Sequence, residues 1–182
     1  MRAETESSGP AVTFRALDPR DGRRAFDCGH DSINRWFREQ AGQAARKGTA
    51  ATTVGVDNGT GRIASFYSLV AHRIARNDPS ARATGLRRGY PMPAILIAQL
   101  GVDVTYQGRG VGRATLLDAL ARLAVVSAEV GFEAVIVDAI DDQAAAFYAA
   151  HGFHPLTSDV RRLALPAREL RRVPPYKSPN EG

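Results

Sequence analysis

The run Gln107-Gly108-Arg109-Gly110-Val111-Gly112 decides how this chain folds, because of what stands on either side of it. Before it, residues 94–104 (AILIAQLGVDV) are the most strand-like apolar stretch of the sequence. After it, Leu116, Leu120, Leu123 and Val126 recur at three- and four-residue spacing, the buried stripe of a long helix over 112–130. Gly131 is suited to end that helix. A strand, a glycine-rich turn and a helix make a socket. Glycine lets the backbone curl with its N–H groups turned inward. The helix start adds its own unpaired N–H groups and the positive end of its dipole. A diphosphate suits such a socket, and Arg109 and Arg113 could add charged contacts to its oxygens. Two common nucleotide loops are excluded: a Walker loop needs a lysine that is absent here, and Gly108-x-Gly110-x-Gly112 lacks the dinucleotide-fold spacing. A glycine-rich turn with no ligand would look the same in these residues alone.

Working outward, residues 12–17 read as a first strand. Asp31 or Ser32 can cap a helix whose Ile33, Trp36 and Phe37 fall at i, i+3 and i+4, and which continues towards Lys47. Residues 49–57 and 62–70 are β-rich runs around Asp57-Asn58-Gly59-Thr60-Gly61, a hairpin signal. Residues 73–89 are polar and arginine-bearing, expected as loop with a short helix. Downstream, residues 134–139 (AVIVDA) form a short buried strand, 142–150 a short helix ended by Gly152, and 160–165 a last strand. This order predicts an α+β protein: a single mixed, mostly antiparallel twisted sheet flanked by helices on both faces.

A chain of 182 residues fits one domain with a sizeable core. Residues 1–10 are expected to be a disordered lead, 11–170 the domain, and 171–182, with Pro174, Pro175 and Pro179, an extended tail. No apolar run is long enough for a membrane span, and the acidic, polar start is not a signal peptide. The single cysteine, Cys28, excludes a disulfide framework and agrees with a cytoplasmic setting. It is read as a small buried hydrophobe. A formal charge of +5 favours an anionic partner. His30, His72, His151 and His154 show no metal-ligand spacing, and no metal is assigned.

The glycine turn fits a Gln/Arg-x-x-Gly-x-Gly/Ala pattern and resembles the acetyl-CoA loop of the GNAT family of N-acetyltransferases. Ala146-Phe147-Tyr148-Ala149-Ala150-His151-Gly152-Phe153 resembles that family's FYxxxGF segment. Gln99-Leu100-Gly101-Val102-Asp103-Val104 stands where its strand is bulged, with Gly101 suited to a bulge or to close approach of the cofactor. The match narrows further. Phe26-Asp27-Cys28-Gly29-His30-Asp31-Ser32-Ile33-Asn34-Arg35-Trp36-Phe37 is similar to the FxCGxxxLNxWL segment of toxin acetyltransferases paired with ribbon-helix-helix antitoxins. Tyr67-Ser68-Leu69, the turn around Leu86-Arg87-Arg88-Gly89, and Arg161-Arg162-Leu163-Ala164-Leu165-Pro166 match them as well. The departures are Gly101, where alanine is commoner, and Ile33 in place of leucine.

The resemblance implies a GNAT fold and acetyl-CoA as cofactor. It assigns the cofactor to Leu100, Gly101, Val102, Gln107, Gly108, Arg109, Gly110, Val111, Gly112, Arg113 and Phe147. It implies acetylation of the α-amino group of an aminoacyl-tRNA, which blocks translation, and silencing by an antitoxin; a homodimer is suggested too. Transfer from a thioester to an amine needs a neutral amine, a stabilised oxyanion and a proton for the departing thiolate. Tyr148 is the candidate acid, with a reference phenol near 10 against about 8.5 for a thiol; a tyrosine packed for its ring is the alternative. A backbone N–H near residues 100–102 would face the oxyanion. No side chain stands out as a general base, and Asp103 and Asp138 read as solvated or capping. An aminoacyl ester needs none, since an α-amine titrates at about 7.7–8.0 before esterification lowers it, unlike a lysine at about 10.4.

Arg35, Arg38, Arg46, Lys47, Arg87 and Arg88 could form a phosphate-binding surface for a tRNA acceptor stem, or be a solvated face. Trp36 and Phe37 are read as core. Two other functions share these features. A housekeeping transferase for a small amine or a protein N-terminus would turn over without salt sensitivity. A non-catalytic RNA-binding or regulatory module would bind the cofactor weakly or not at all.

Overall fold

The computed structural model describes residues 10–74, 91–156 and 161–172. After β1 (Val12–Ala16) comes a helical rod made of α1 (Asp31–Arg35), one π-helical turn (Trp36–Gln40) and α2 (Ala41–Lys47). Then follow β2 (Ala51–Asp57), β3 (Ile63–Ile74), β4 (Met92–Val102), α3 (Val111–Glu129) and β5 (Ala134–Asp138). The chain continues through α4 (Asp142–Ala149), β6 (His154–Pro155) and β7 (Arg162–Pro166). One seven-stranded sheet runs in the order β1-β2-β3-β4-β5-β7-β6. All its pairings are antiparallel except that of β4 with β5, which is parallel. This is the α+β architecture expected from the sequence.

The hairpin between β2 and β3 forms because Asp57 folds back on its own turn, accepting from the Gly59 N–H (3.0 Å) and the Thr60 hydroxyl (2.7 Å). Side chains then alternate across the sheet. Tyr67, Ile97, Val135, Val137, Leu163 and Leu165 pack under α3, against Leu116, Leu120 and Leu123. On the opposite face Phe26, Ile33 and Phe37 cover Val54 and Phe66, with the Phe37 and Phe66 rings stacked at 3.9 Å. Further along that face Ile74, Met92, Ala94, Ile136, Leu156 and Ala164 form a second patch. The Tyr67 hydroxyl donates to Asp118 (2.7 Å), which also accepts from Arg122 (2.8 Å) and so ties α3 to the sheet.

Several local expectations are corrected. His30, not Asp31 or Ser32, precedes the first helical residue, and no side chain caps that helix. The buried stripe of α3 stops at Leu123, and Val126 is 40% exposed because the last turn runs past the packed part of the helix. Val130 takes an extended conformation and ends α3, so Gly131 needs no left-handed φ. Arg171 and Arg172, expected in an extended tail, belong to a 3₁₀ turn over Ala167–Arg172. The rest of that tail and most of the 73–89 stretch lie outside the described residues.

The bulge of β4 is not at Gly101. The register against β3 shifts between Ser68↔Gln99 and Leu69↔Ile97, leaving Ala98 as the extra residue. Gly101 instead lets β4 press on the aromatic patch. A Cβ there would stand 3.0 Å from the Phe66 ring and 3.3 Å from both Ile33 and Phe26. Gly101→Ala is therefore expected to cost about 1–3 kcal/mol of stability by overpacking, read as a lowered midpoint in urea with an unchanged slope.

Candidate functional site

The site begins where β4 and β5 part. They pair only from Ala94↔Ala134 to Ile97↔Val137. Beyond that point β4 stays with β3 as far as Val102, while β5 stays with β7. On the side facing β5, the peptide groups of residues 98–102 therefore make no strand bonds. A cavity of about 520 Å³ fills the opening. Leu100, Gly101 and Val102 form one wall, and Ala144, Phe147 and Tyr148 of α4 another.

At one end the cavity meets the glycine turn. Gly108 (φ 70°) and Gly110 (φ 80°) are both left-handed, which only glycine adopts without strain, and Gly110 is the residue on which α3 starts. Gly112 and Arg113 of the first α3 turn also line the cavity. Gln107 acts through its side chain, whose amide donates to the carbonyls of Cys28 (3.1 Å) and Val102 (2.9 Å). It thereby clamps the segment before α1 to the end of β4. Asp103, 2% exposed, accepts from the N–H groups of Asp27 (3.1 Å) and Thr105 (3.0 Å) and from the Thr105 hydroxyl (2.6 Å). Those bonds make it a builder of the turn.

Tyr148 is 7% exposed, its ring edge-on to Phe147 (5.3 Å) and Phe153 (5.5 Å). Burial pushes its phenol well above the ordinary range. No hydrogen bond engages its hydroxyl among the described residues, so the proton it carries is uncommitted. Free N–H groups at a helix start, unpaired strand amides and a protonated phenol along one cavity suit a long ligand with phosphates at one end and amides along its length.

The profile of the acetyltransferase (GNAT) domain matches residues 69–155. A tRNA-acetylating toxin of Mycobacterium tuberculosis is 31% identical over 161 residues, 87% of this chain and 94% of that protein. The chain belongs to the GNAT acetyltransferase family. A probable toxin TacT of Sinorhizobium fredii is 29% identical over 166 residues, 86% of this chain and 92% of that protein. Solved structures share the fold. A tyrosine-to-phenylalanine mutant of KacT matches with a TM-score of 0.81 at 21% identity, covering 89% of this chain and 98% of that one. AtaT complexed with acetyl-methionyl-tRNAfMet matches at 0.78 and 22%, covering 88% and 98%.

Within this GNAT fold the residues singled out from the sequence fall into three groups. Leu100, Gly101, Val102, Gln107, Gly108, Gly110, Gly112, Arg113, Phe147 and Tyr148 all line the cavity. Arg109 and Val111 do not: Arg109 reaches back to the Thr105 carbonyl (3.4 Å) and over the Tyr106 ring, and Val111 is buried against Val12, Ala64 and Tyr106. Neither side chain lines the cavity, while the backbone of both belongs to the turn that meets it. Of the basic set, Arg35, Arg46 and Lys47 are exposed on the helical rod, while Arg38, also exposed, is bonded to the Phe26 carbonyl. Arg87 and Arg88 lie outside the described residues.

Sequence reasoning missed one side of the cavity. Cys28, His30 and Ile33 close it from the α1 end, and Ile140, Asp141 and Gln143 from the α4 end. Asp141 caps α4 through the Ala144 N–H (2.7 Å) and stands 3.6 Å from His30. Its position just before a helical run was the one signal available. Burial pushes the Cys28 thiol up, away from a reactive thiolate. Among the described residues no three His, Cys, Asp or Glu side chains converge as a metal site.

Gly110→Ala is expected to strain the turn by about 1–2 kcal/mol. Calorimetric titration with coenzyme A should show weaker binding than for Gly112→Ala, whose Cβ would stand 3.5 Å from Val102, an ordinary contact.

Proposed function

We propose that this GNAT enzyme transfers the acetyl group of acetyl-CoA to the α-amino group of an aminoacyl-tRNA, and thereby acts as a toxin that blocks translation. The carrying observation is the convergence on one cavity of the left-handed glycine turn, the unpaired edge of β4 and the buried Tyr148. The relative named a tRNA-acetylating toxin supports the substrate class.

Acetyl-CoA, when bound, supplies an activated thioester carbonyl. The N–H groups around Gly108, Gly110 and Gly112, with the Arg113 guanidinium, are suited to hold its diphosphate. Peptide groups of β4 on the side facing β5 that make no strand bonds are the donors and acceptors for its amides, and an N–H near residues 100–102 is available to a developing oxyanion. Phe147 walls the channel. Tyr148 gives its proton to the departing sulfur as the C–S bond breaks and the N–C bond forms. The amine arrives neutral and loses its proton to water, so no general base is required.

Arg35, Arg46 and Lys47 would attract the phosphates of the acceptor stem. Arg38, Arg87 and Arg88 complete the proposed surface. A ribbon-helix-helix antitoxin as silencing partner, a homodimer and a cytoplasmic location belong to the same reading, as does a single catalytic domain over residues 11–170. Among the described residues no helix is long and apolar enough to cross a membrane.

The test is to incubate the protein with labelled acetyl-CoA and bulk aminoacylated tRNA, beside small amines and peptides. Label on the aminoacyl group supports the proposal; label only on small amines or peptides sinks it. Tyr148→Phe should lower kcat by about 10²–10³-fold, the scale of general acid catalysis, with affinity for acetyl-CoA retained. The pH profile follows from the raised phenol. Rate should rise as the amine loses its proton and stay level up to about pH 10, the ordinary phenol value, because Tyr148 keeps its proton beyond it. A descending limb near pH 8–9 would argue against Tyr148 as the acid.

A further inference from the structure

The face of the sheet that carries α1 and α2 holds a polar cluster that the proposed reaction leaves unused. Along β5, Val135 and Val137 pack beneath α3 while Ala134 and Ile136 face the other way, so alternation puts Asp138 on the α1–α2 face. Along β7, Leu163 and Leu165 lie beneath α3, which puts Arg162 on Asp138's face together with Ala164. Ile74 belongs to that face, and His72 stands two residues before it on β3. The three side chains meet. Arg162 Nη1 lies 3.4 Å from Asp138 Oδ1, and Arg162 Nη2 donates to His72 Nε2 at 2.9 Å. The third guanidinium nitrogen, Nε, is buried without a hydrogen-bond partner among the described residues. Arg162 is therefore held from both sides of β4, and it fixes one oxygen of the Asp138 carboxylate.

Asp138 follows Val137, the last β5 residue paired with β4. Its carboxylate thus stands at the apex of the opening, half exposed, with Oδ2 bonded to no described group. Across the apex is Ala98, the bulged residue of β4. Ala98 lines a second cavity of about 320 Å³ with Trp36, Lys47 and Val70, on the α2 side of the sheet. Val70 and His72 share one face of β3, two residues apart. Lys47 lines this cavity, and Asp138 stands on the same face of the sheet next to the strand level of Ala98.

We infer that Asp138, aligned by Arg162 and His72, receives the amino group of the acceptor. Its free oxygen accepts a hydrogen bond from the amine N–H and turns the nitrogen lone pair towards the opening between β4 and β5. The inference rests on the transferase reading above, but not on which amine is the substrate. A carboxylate attracts an amine and repels phosphate. It therefore sorts the two ends of an aminoacylated terminus, the amine to the apex and the phosphates to Arg35, Arg46 and Lys47 on the helical rod.

Steady-state kinetics of Asp138→Asn, with whichever amine the wild type acetylates, test this. The asparagine keeps the shape, and thermal melting checks the fold. The kcat/KM for the amine should fall on the order of 10–100-fold, the loss of a charged hydrogen bond. The affinities for acetyl-CoA and for deacylated tRNA should not move. Arg162→Gln, which misaligns the carboxylate, should lower the same parameter, and Arg162→Lys should restore part of it. An unchanged kcat/KM in Asp138→Asn, or an equal loss of acetyl-CoA affinity, overturns the inference. A wild type active on small amines but not on aminoacyl-tRNA sinks the toxin reading, while Asp138 is then judged on those amines. A wild type inactive on every amine overturns both.

Discussion

The parting of β4 from β5 is the constraint on which the rest of this structure depends. A parallel pair this deep in a sheet would ordinarily run on for the length of both strands, because unpaired backbone groups are costly once sheltered from water. Here the pairing stops at Ile97↔Val137. The bulge at Ala98 turns β4, and the missing Cβ of Gly101 lets it press against Phe26, Ile33 and Phe66. Gln107 and Asp103 then lock the end of β4 to the segment before α1. The far half of β4 thereby belongs to the α1 side of the molecule, and β5 to the side of α3 and α4. What lies between is a slot along which β4 makes no strand bonds to β5, an edge that a ligand rich in amides can use.

Burial of Tyr148 serves that slot in an unusual direction. Many catalytic groups are tuned towards neutrality so that they can both take and give a proton. Tyr148 is pushed the other way by burial, with aromatic edges around it and, among the described residues, no hydrogen bond to its hydroxyl. It keeps its proton across the working pH range and is available as a donor to a departing sulfur as the C–S bond breaks. The amine side carries no such tuned group, which fits an acceptor that is already largely neutral near pH 7. A lysine would not be.

The charges are also arranged by task. Arg35, Arg46 and Lys47 lie on the outer surface of the helical rod, where the proposed attraction of a polyanion would act at a distance and be screened by salt. The carboxylate of Asp138 stands where the two strands separate, short of those cations and pinned by Arg162. An opposite arrangement would draw phosphate into the slot from the acceptor side. Hydrophobic packing does the holding: α3 on one face and the Phe26–Phe37–Phe66 cluster on the other fix both lips of the opening.

What the sequence determined by itself was local. The period of Leu116, Leu120 and Leu123, the turn chemistry around Asp57 and the glycines from 108 to 112 are short-range facts, since helix periodicity and left-handed φ are set by near neighbours. Tyr148 was legible because its segment is contiguous. That the side chains of Arg109 and Val111 turn away from the cavity was not legible, because neighbouring residues of a turn point in different directions and only packing shows that Val111 is buried. The bulge fell at Ala98 rather than Gly101 because register is set by the partner strand. Cys28, His30 and Ile33 close a cavity whose other walls lie far along the chain, and His72, Asp138 and Arg162 meet across three strands. Such groupings depend on where strand pairing stops and which faces are pressed together, and no local pattern encodes that. Tertiary packing alone brings those side chains within bonding distance.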